Sequence, residues 1–293
     1  MGLTATDDPL PTLRVPTSSR PWSGRPPIAE NTLMTDSLLQ ISDHGPVRII
    51  TINRPDKLNA LDAATLDALH AAFALAAGAI DVRVVVLTGA GPKAFVAGAD
   101  IAQMTGLTPV QGRDFSLRGQ RMMREVETMP KPVIAMINGF ALGGGLELAM
   151  CCHLRFAADT AKVGQPEINL GLIPGFGGSQ RLLRLAGRAA TLELCLLGAP
   201  IDANRAHQLG IVNRVFPAAE LQTRTLEIAA QLANSAPLAL RGILDCVNFG
   251  GESSIEEGLS YESAQFGLMF ATQDMREGTA AFLERRKPTF SGC

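Results

Sequence analysis

Two glutamates in this chain sit where a carboxylate is costly to keep. Glu147 lies in FALGGGLELAM and Glu167 in VGQPEINLGLIPGFGG, both surrounded by apolar and glycine residues. A charge removed from water without a partner is strongly disfavoured, so carboxyls in such surroundings point to a use. Two carboxyls held in different protonation states can act as general acid and general base. The run Gly143–Gly145 directly precedes a helical-looking segment. Its amides would be helix-start donors aimed at a ligand oxygen, and glycine permits close approach. Helical side chains lean toward the N-terminus, which turns Glu147 back toward the same end. Taken alone, the segment fits a plain turn at least as well, with Glu147 a solvated first-turn residue favoured by the helix dipole. Ala97-Gly98-Ala99-Asp100 offers another backbone N–H after an apolar strand, although a tight turn at Gly98 with Asp100 as helix cap is the commoner use of such residues. What shifts the balance is co-occurrence: loop, glycine-rich helix start and second glutamate follow in order between residues 97 and 167.

The elements that would position these groups are readable from periodicity. Val47 to Ile52 is a β-branched run closed by Asn53-Arg54-Pro55, a strand followed by a turn. Asp62 is a candidate N-cap, and Leu66, Leu69, Phe73 and Ala76 recur at helical spacing. Val84 to Leu87 and Val133 to Ile137 read as short buried strands, with a helical segment over Pro109 to Met129 between them. This alternation predicts an α/β fold with crossover units and a covered, largely parallel sheet. From about Gly177 the strands are expected to stop. Helical patterns then run over 180–185, 190–197, 204–209, 218–233, 238–249 and 254–270, and the change of texture marks a boundary near residue 200.

Composition narrows the classes. The chain has 293 residues, 46% hydrophobic and 18% charged, which excludes a disordered or fibrous protein. A formal net charge of −2 gives no electrostatic case for nucleic acid. Five cysteines in no CxxC spacing argue against a disulfide scaffold and a zinc site and favour a reducing compartment. The apolar stretch 133–152 carries Asn138, four glycines and Glu147, so it reads as core and not as a membrane span. Residues 1–36 are rich in Pro, Ser and Thr and read as a flexible extension. Arg14, Arg20 and Arg25 leave a transit peptide open against Asp7, Asp8 and Glu30, and Met34 is a second candidate start. His153 reads as structural and Cys151-Cys152 as small buried hydrophobes. Ser179 lies in GGSQR, which is not a nucleophile elbow, and no GxGxxG follows a strand, so a serine hydrolase and an NAD-dependent dehydrogenase are set aside.

Five ordered strings, NRPDKLNAL, KAFVAGADI, NGFALGGGLELAM, GQPEINLGLIPGFGGSQRL and AFLERRKPTF, together resemble the crotonase (enoyl-CoA hydratase/isomerase) superfamily, enoyl-CoA hydratases in particular, from about residue 38 to 290. The resemblance implies a crotonase-like spiral of ββα turns with a helical C-terminal trimerisation region, divided as extension 1–36, spiral core 37–200 and helical oligomerisation region 201–293. It implies an oxyanion hole from the amides of Ala99 and Gly144, an acid/base pair in Glu147 and Glu167, and a water-orienting amide at Gly175. Lys57, Ala60 and Lys93 become candidates for coenzyme A, and Arg285, Arg286 or Lys287 for a neighbouring subunit. The implied activity is reversible syn addition of water to a trans-2-enoyl-CoA, giving 3-hydroxyacyl-CoA in fatty-acid or related acyl-CoA degradation. No metal or redox cofactor is implied; coenzyme A enters with the substrate. Implied partners are the acyl-CoA thioester and further copies in a homotrimer or homohexamer, without nucleic acid or membrane. The implied location is the cytoplasm, or the mitochondrial matrix if the extension is a transit peptide. Isomerases of the family usually keep one glutamate of the pair, so retention of both favours hydration over an isomerase or another crotonase-type lyase. A non-catalytic acyl-CoA- or RNA-binding relative is disfavoured by the same pair and by the lack of a dense basic helix. Acyl-chain length is not fixed, because the walls come from loops such as 103–119.

Overall fold

The computed structural model describes residues 31–36 and 38–293. It opens with an antiparallel meander, β1 (Asn31–Asp36), β2 (Leu39–His44) and β3 (Val47–Ile52). Helix α1 (Ala63–Gly78) follows. Its start is closed as expected by Asp62, whose carboxylate accepts the Thr65 N–H at 2.7 Å, and the stripe Leu66, Leu69, Phe73 and Ala76 is buried.

Three ββα turns come next. The first is β4 (Val84–Gly89), β5 (Ala94–Val96) and the helices α2 (Ile101–Met104) and α3 (Pro109–Glu127). The second is β6 (Val133–Ile137), β7 (Phe140–Leu142) and α4 (Gly144–Cys151). The third is β8 (Leu154–Ala158), β9 (Lys162–Gly164), a 3-10 turn at Pro166–Leu170 and α5 (Gly178–Leu197). The chain continues through β10 (Ile201–Asp202), α6 (Ala203–Gln208), β11 (Arg214–Phe216) and α7 (Leu221–Ala233). It ends in α8 (Pro237–Gly250), α9 (Ile255–Met269) and α10 (Gln273–Leu283).

In each turn the first strand joins a seven-stranded sheet of order β1-β2-β3-β4-β6-β8-β11, and the second joins a four-stranded sheet of order β10-β9-β7-β5. The large sheet is parallel from β3 onward, with Ile49 opposite Val86, Val86 opposite Ile134 and Ile134 opposite Leu154. β4 and β6 are buried along their whole length, the pattern of a parallel sheet covered on both faces. That explains their unbroken valine and isoleucine content.

Four expectations need correction. Most of the extension 1–36 lies outside the described residues, but its last six residues form β1 against β2. Strands do not stop at 177: β10 pairs with β9, and β11 pairs with β8. Helix α7 then packs on β3, β4, β6 and β8, so the core runs through about residue 233 and not to 200. A two- or three-residue strand carries too little sequence for a period to register. Lastly, the helical patterns 180–185 and 190–197 are one run, bent at Gly187 with φ 76°, and α10 went unread.

Candidate active site

The glycine run has a mechanical reason. Gly143 adopts φ 51° and ψ −123°, a conformation that disfavours side chains, and a Cβ there would stand 2.9 Å from Oε1 of Glu167. A Cβ on Gly145 would collide with the Val96 carbonyl, so the first turn of α4 can sit directly on the end of β5. That approach brings Gly144 beside Ala99: the position of a Cβ on Gly144 lies 3.4 Å from the Ala99 nitrogen. Ala99 is itself held by a parallel bridge to Leu61, whose N–H donates to Gly98 O at 2.9 Å and whose carbonyl accepts from Asp100 N–H at 2.8 Å. Among the described residues, neither the Ala99 nor the Gly144 N–H is given to a protein acceptor. Two adjacent unpaired amides can receive one oxygen that gains negative charge.

Glu147 is not a solvated first-turn residue; only 1% of it is exposed. Its Oε1 accepts the N–H of Phe176 at 2.8 Å and of Gly178 at 2.6 Å, where the chain enters α5. Burial, reinforced by the charge of Glu167, pushes this carboxyl from 4.5 up to about 7, against the pull of the two amides and of Arg181. Glu167 is half-buried on the 3-10 turn and is also shifted upward by burial. The fully buried Gln165, its carboxamide turned so that nitrogen faces the carboxylate, donates to Oε1 and Oε2 of Glu167 at 2.9 and 3.1 Å. The two glutamates, twenty positions apart in sequence, are thus electrostatic neighbours beside the amide pair.

The loop that feeds Glu147 is held from below. Arg181 donates to the Phe176 carbonyl at 2.8 Å and to both oxygens of Glu127 at 3.3 and 3.2 Å. Burial alone would raise the Glu127 carboxyl, but Arg181 and Arg124 bring it below its ordinary value. The Phe176 ring lies 5.2 Å from that of Phe115 and fits where a side chain on Gly119 would collide with it. Gly175 points its carbonyl at α3, accepting from Ser116 at 2.5 Å and Gln120 at 3.0 Å; the amides that reach Glu147 belong to Phe176 and Gly178. Sequence reasoning missed Gln165, Phe176, Gly178 and the Glu127–Arg181 pair. The available signals were a glutamine inside an otherwise buried strand end and an arginine one turn into a glycine-started helix.

A cleft of about 200 Å³ runs between the turns 55–59 and 90–94. Lys93 lines it; exposed Lys57 and half-buried Ala60 belong to the same turn region without lining the cleft. Asn59, fully buried in a left-handed conformation (φ 58°), joins the two turns: it accepts from Arg54 N–H at 3.0 Å and donates to Ala90 O at 3.0 Å and Ala94 O at 2.9 Å. Arg54 ties the loop to the site, binding the Ala60 carbonyl, Asp62 at 2.9 Å and Asp100 at 3.1 Å. His153 is structural: Nδ1 accepts from Val133 N–H at 2.9 Å, and Nε2 donates to Glu127 O at 3.1 Å. Cys151 and Cys152 are buried. Among the described residues, no His, Cys, Asp and Glu cluster could hold a metal ion, and no helix is long and apolar enough to cross a membrane.

The chain is similar to known proteins along most of its length. The short-chain-enoyl-CoA hydratase of Clostridium acetobutylicum is 42% identical over 247 residues, spanning 84% of this chain and 95% of the relative. The crotonyl-CoA hydratase of Syntrophomonas wolfei is 46% identical over 242 residues, 83% and 93% of the two chains. A crystal structure of enoyl-CoA hydratase from Bacillus anthracis superposes with a TM-score of 0.84 at 37% identity, covering 87% of this chain and all of that one. Residues 43–292 match the family described as enoyl-CoA hydratase/isomerase. Neighbouring amides, coupled carboxyls and ββα turns thus occur on a chain that is related along nearly its whole described length to these proteins, and it belongs to the enoyl-CoA hydratase/isomerase family.

Proposed function

We propose that the protein catalyses reversible syn hydration of a trans-2-enoyl-CoA to the 3-hydroxyacyl-CoA. The observation that carries this reading is the coupled pair of proton-holding carboxyls, Glu147 and Glu167, beside two unpaired amides. The thioester oxygen accepts from the Ala99 and Gly144 N–H groups, which draws electron density from C3 and stabilises the enolate-like charge as water adds. Glu147, near half-ionised at neutral pH, takes a proton from water while the water oxygen bonds to C3. Glu167 delivers a proton to C2 as the C2–C3 π bond is consumed, and the two carboxyls exchange roles in the reverse direction. No step calls for a metal or a redox cofactor.

The coenzyme A moiety is read into the cleft between the turns 55–59 and 90–94, with Lys57 and Lys93 as phosphate partners and Ala60 as a backbone contact. The names of the relatives favour short acyl chains. The Gly175 amide is read as orienting the attacking water, from the loop it shares with Phe176, whose own N–H goes to Glu147. Exposed apolar residues on the last helices, among them Val247, Phe266 and Phe282, support assembly of copies as a trimer or a dimer of trimers. The same reading assigns acyl-CoA degradation in the cytoplasm. Loss of the conjugated-enoyl ultraviolet absorption of crotonyl-CoA on adding the purified chain is the expected result; an unchanged spectrum would refute hydration.

A further inference from the structure

From the contacts beneath the acid site we infer that the Glu127–Arg181 ion pair is a positioning device, fixing the Phe176–Gly178 loop against Glu147 and thereby setting how that carboxyl works. The inference rests on the proposed hydratase reading of Glu147.

Phe176 is the link. Its carbonyl accepts from Nη1 of Arg181 at 2.8 Å, and its N–H donates to Oε1 of Glu147 at 2.8 Å. The two contacts sit on the peptide groups either side of the Phe176 Cα, so displacing this residue disturbs both together. Gly177 follows with φ 101°, packed so closely on Nη1 that a Cβ would collide with it. Gly178 then gives the second amide to Glu147 at 2.6 Å. A guanidinium can grip a carbonyl and both oxygens of Glu127 at once, because its donors form a rigid planar fork that an ammonium lacks.

Glu127 is a firm anchor. It ends α3, and its backbone carbonyl accepts from Nε2 of His153 at 3.1 Å and Nδ2 of Asn248 at 2.8 Å. His153 immediately precedes β8 and Asn248 lies on α8, so three segments of the chain meet at this residue. Side-chain exposures of 15% for Arg181 and 25% for Glu127 keep the pair largely out of water, where an ion pair resists salt better than at the surface.

The pair also acts by charge. The groups that bear on Glu147 are Glu167 on the 3-10 turn, Arg181 on α5, and more weakly Cys151 on its own helix and Cys195 on α5. Of these Arg181 is the single cation, and it works against the proton retention imposed by burial and by Glu167. Removing it leaves Glu147 protonated to higher pH. A purely structural ion pair would change stability without moving that titration.

The test uses the full chain with crotonyl-CoA, and it compares Arg181→Met, Arg181→Lys and Glu127→Gln with Glu147→Gln as control. For Arg181→Met we expect KM within about threefold of wild type, kcat lower by about 10–10²-fold, and the midpoint of the kcat/KM pH profile moved upward. Arg181→Lys keeps the charge and loses the fork, so its midpoint stays near wild type while kcat falls. The Arg181→Met/Glu127→Gln double variant should lose no more than Arg181→Met alone, since both act through one contact chain. An unmoved midpoint in Arg181→Met, or additive losses in the double variant, overturns the inference. Where Arg181→Met does not accumulate, a wild-type kcat in Arg181→Lys overturns it equally. Hydration retained by Glu147→Gln would instead refute the underlying site reading, whereas an inactive Glu147→Gln beside an unmoved Arg181→Met profile refutes the positioning role alone.

Discussion

Gly178 donates its N–H to Oε1 of Glu147 at 2.6 Å, and Phe176 donates to the same oxygen, so Oε2 carries no protein hydrogen bond among the described residues. The carboxyl, 1% exposed, is thus held by one oxygen, which leaves the other for the water of the proposed reaction.

Glu147→Gln and Glu167→Gln keep side-chain shape and remove the titrating group. Each should fold with a Tm close to wild type and lose about 10²–10⁴-fold in kcat for crotonyl-CoA hydration. Near-wild-type turnover in either variant would contradict the assigned roles.

Stability should fall with pH in a way that traces to Glu147. Its carboxyl is raised from 4.5 to about 7 in the folded chain, so between these values the folded state holds a proton that the unfolded chain has released. The stabilisation is complete below pH 4.5 and lost as pH rises through 7, a swing of roughly 3 kcal/mol at about 1.4 kcal/mol per unit. Glu167 shifts in the same direction and adds to it. In urea titrations at pH 5 and pH 8, Glu147→Gln should gain on wild type at the higher pH; a constant difference would exclude this origin.

Gly145→Ala should hurt chemistry beyond its effect on stability. The added methyl meets the Val96 carbonyl and lifts α4 from β5, separating the Gly144 and Ala99 amides. We expect a destabilisation of about 1–3 kcal/mol and a kcat loss of about 10²–10³-fold, the scale of losing one oxyanion donor. Melting curves and turnover on the same preparation read both, and a stable variant of normal kcat would argue against the amide pair.

Asn59→Ala should act on binding. It removes three hydrogen bonds, the two to the Ala90 and Ala94 carbonyls that join the 55–59 and 90–94 turns and the one that holds the Arg54 N–H within the first turn, costing about 3 kcal/mol. With the cleft walls untied, KM for the acyl-CoA should rise more than kcat falls. The reverse pattern would place coenzyme A elsewhere.

Much of this molecule was legible in the sequence because its strongest signals are local. Val84 to Leu87 and Val133 to Ile137 announce buried strands, and Asp62 caps the helix it was expected to cap. Glu147 and Glu167 stood out because their neighbours are apolar. Distant partnerships left no such mark. Gln165 reads as one polar residue in a strand end until Glu167 is seen to share its amide, and Arg181 reads as a surface cation until Glu127, 54 positions earlier, is found against it. β11 is three residues long, and its place beside β8 follows from what surrounds it and not from its own composition.

That late pairing orders the life of the nascent polypeptide. Until Arg214 to Phe216 have been synthesised, the outer rim of β8 offers bare peptide groups to any other chain, at a stage when all the strands inward of it have already been made. A ribosome that stalls between residues 160 and 213 would therefore release a fragment primed for intermolecular strand addition, and a chaperone that shields β8 would be most needed over that interval.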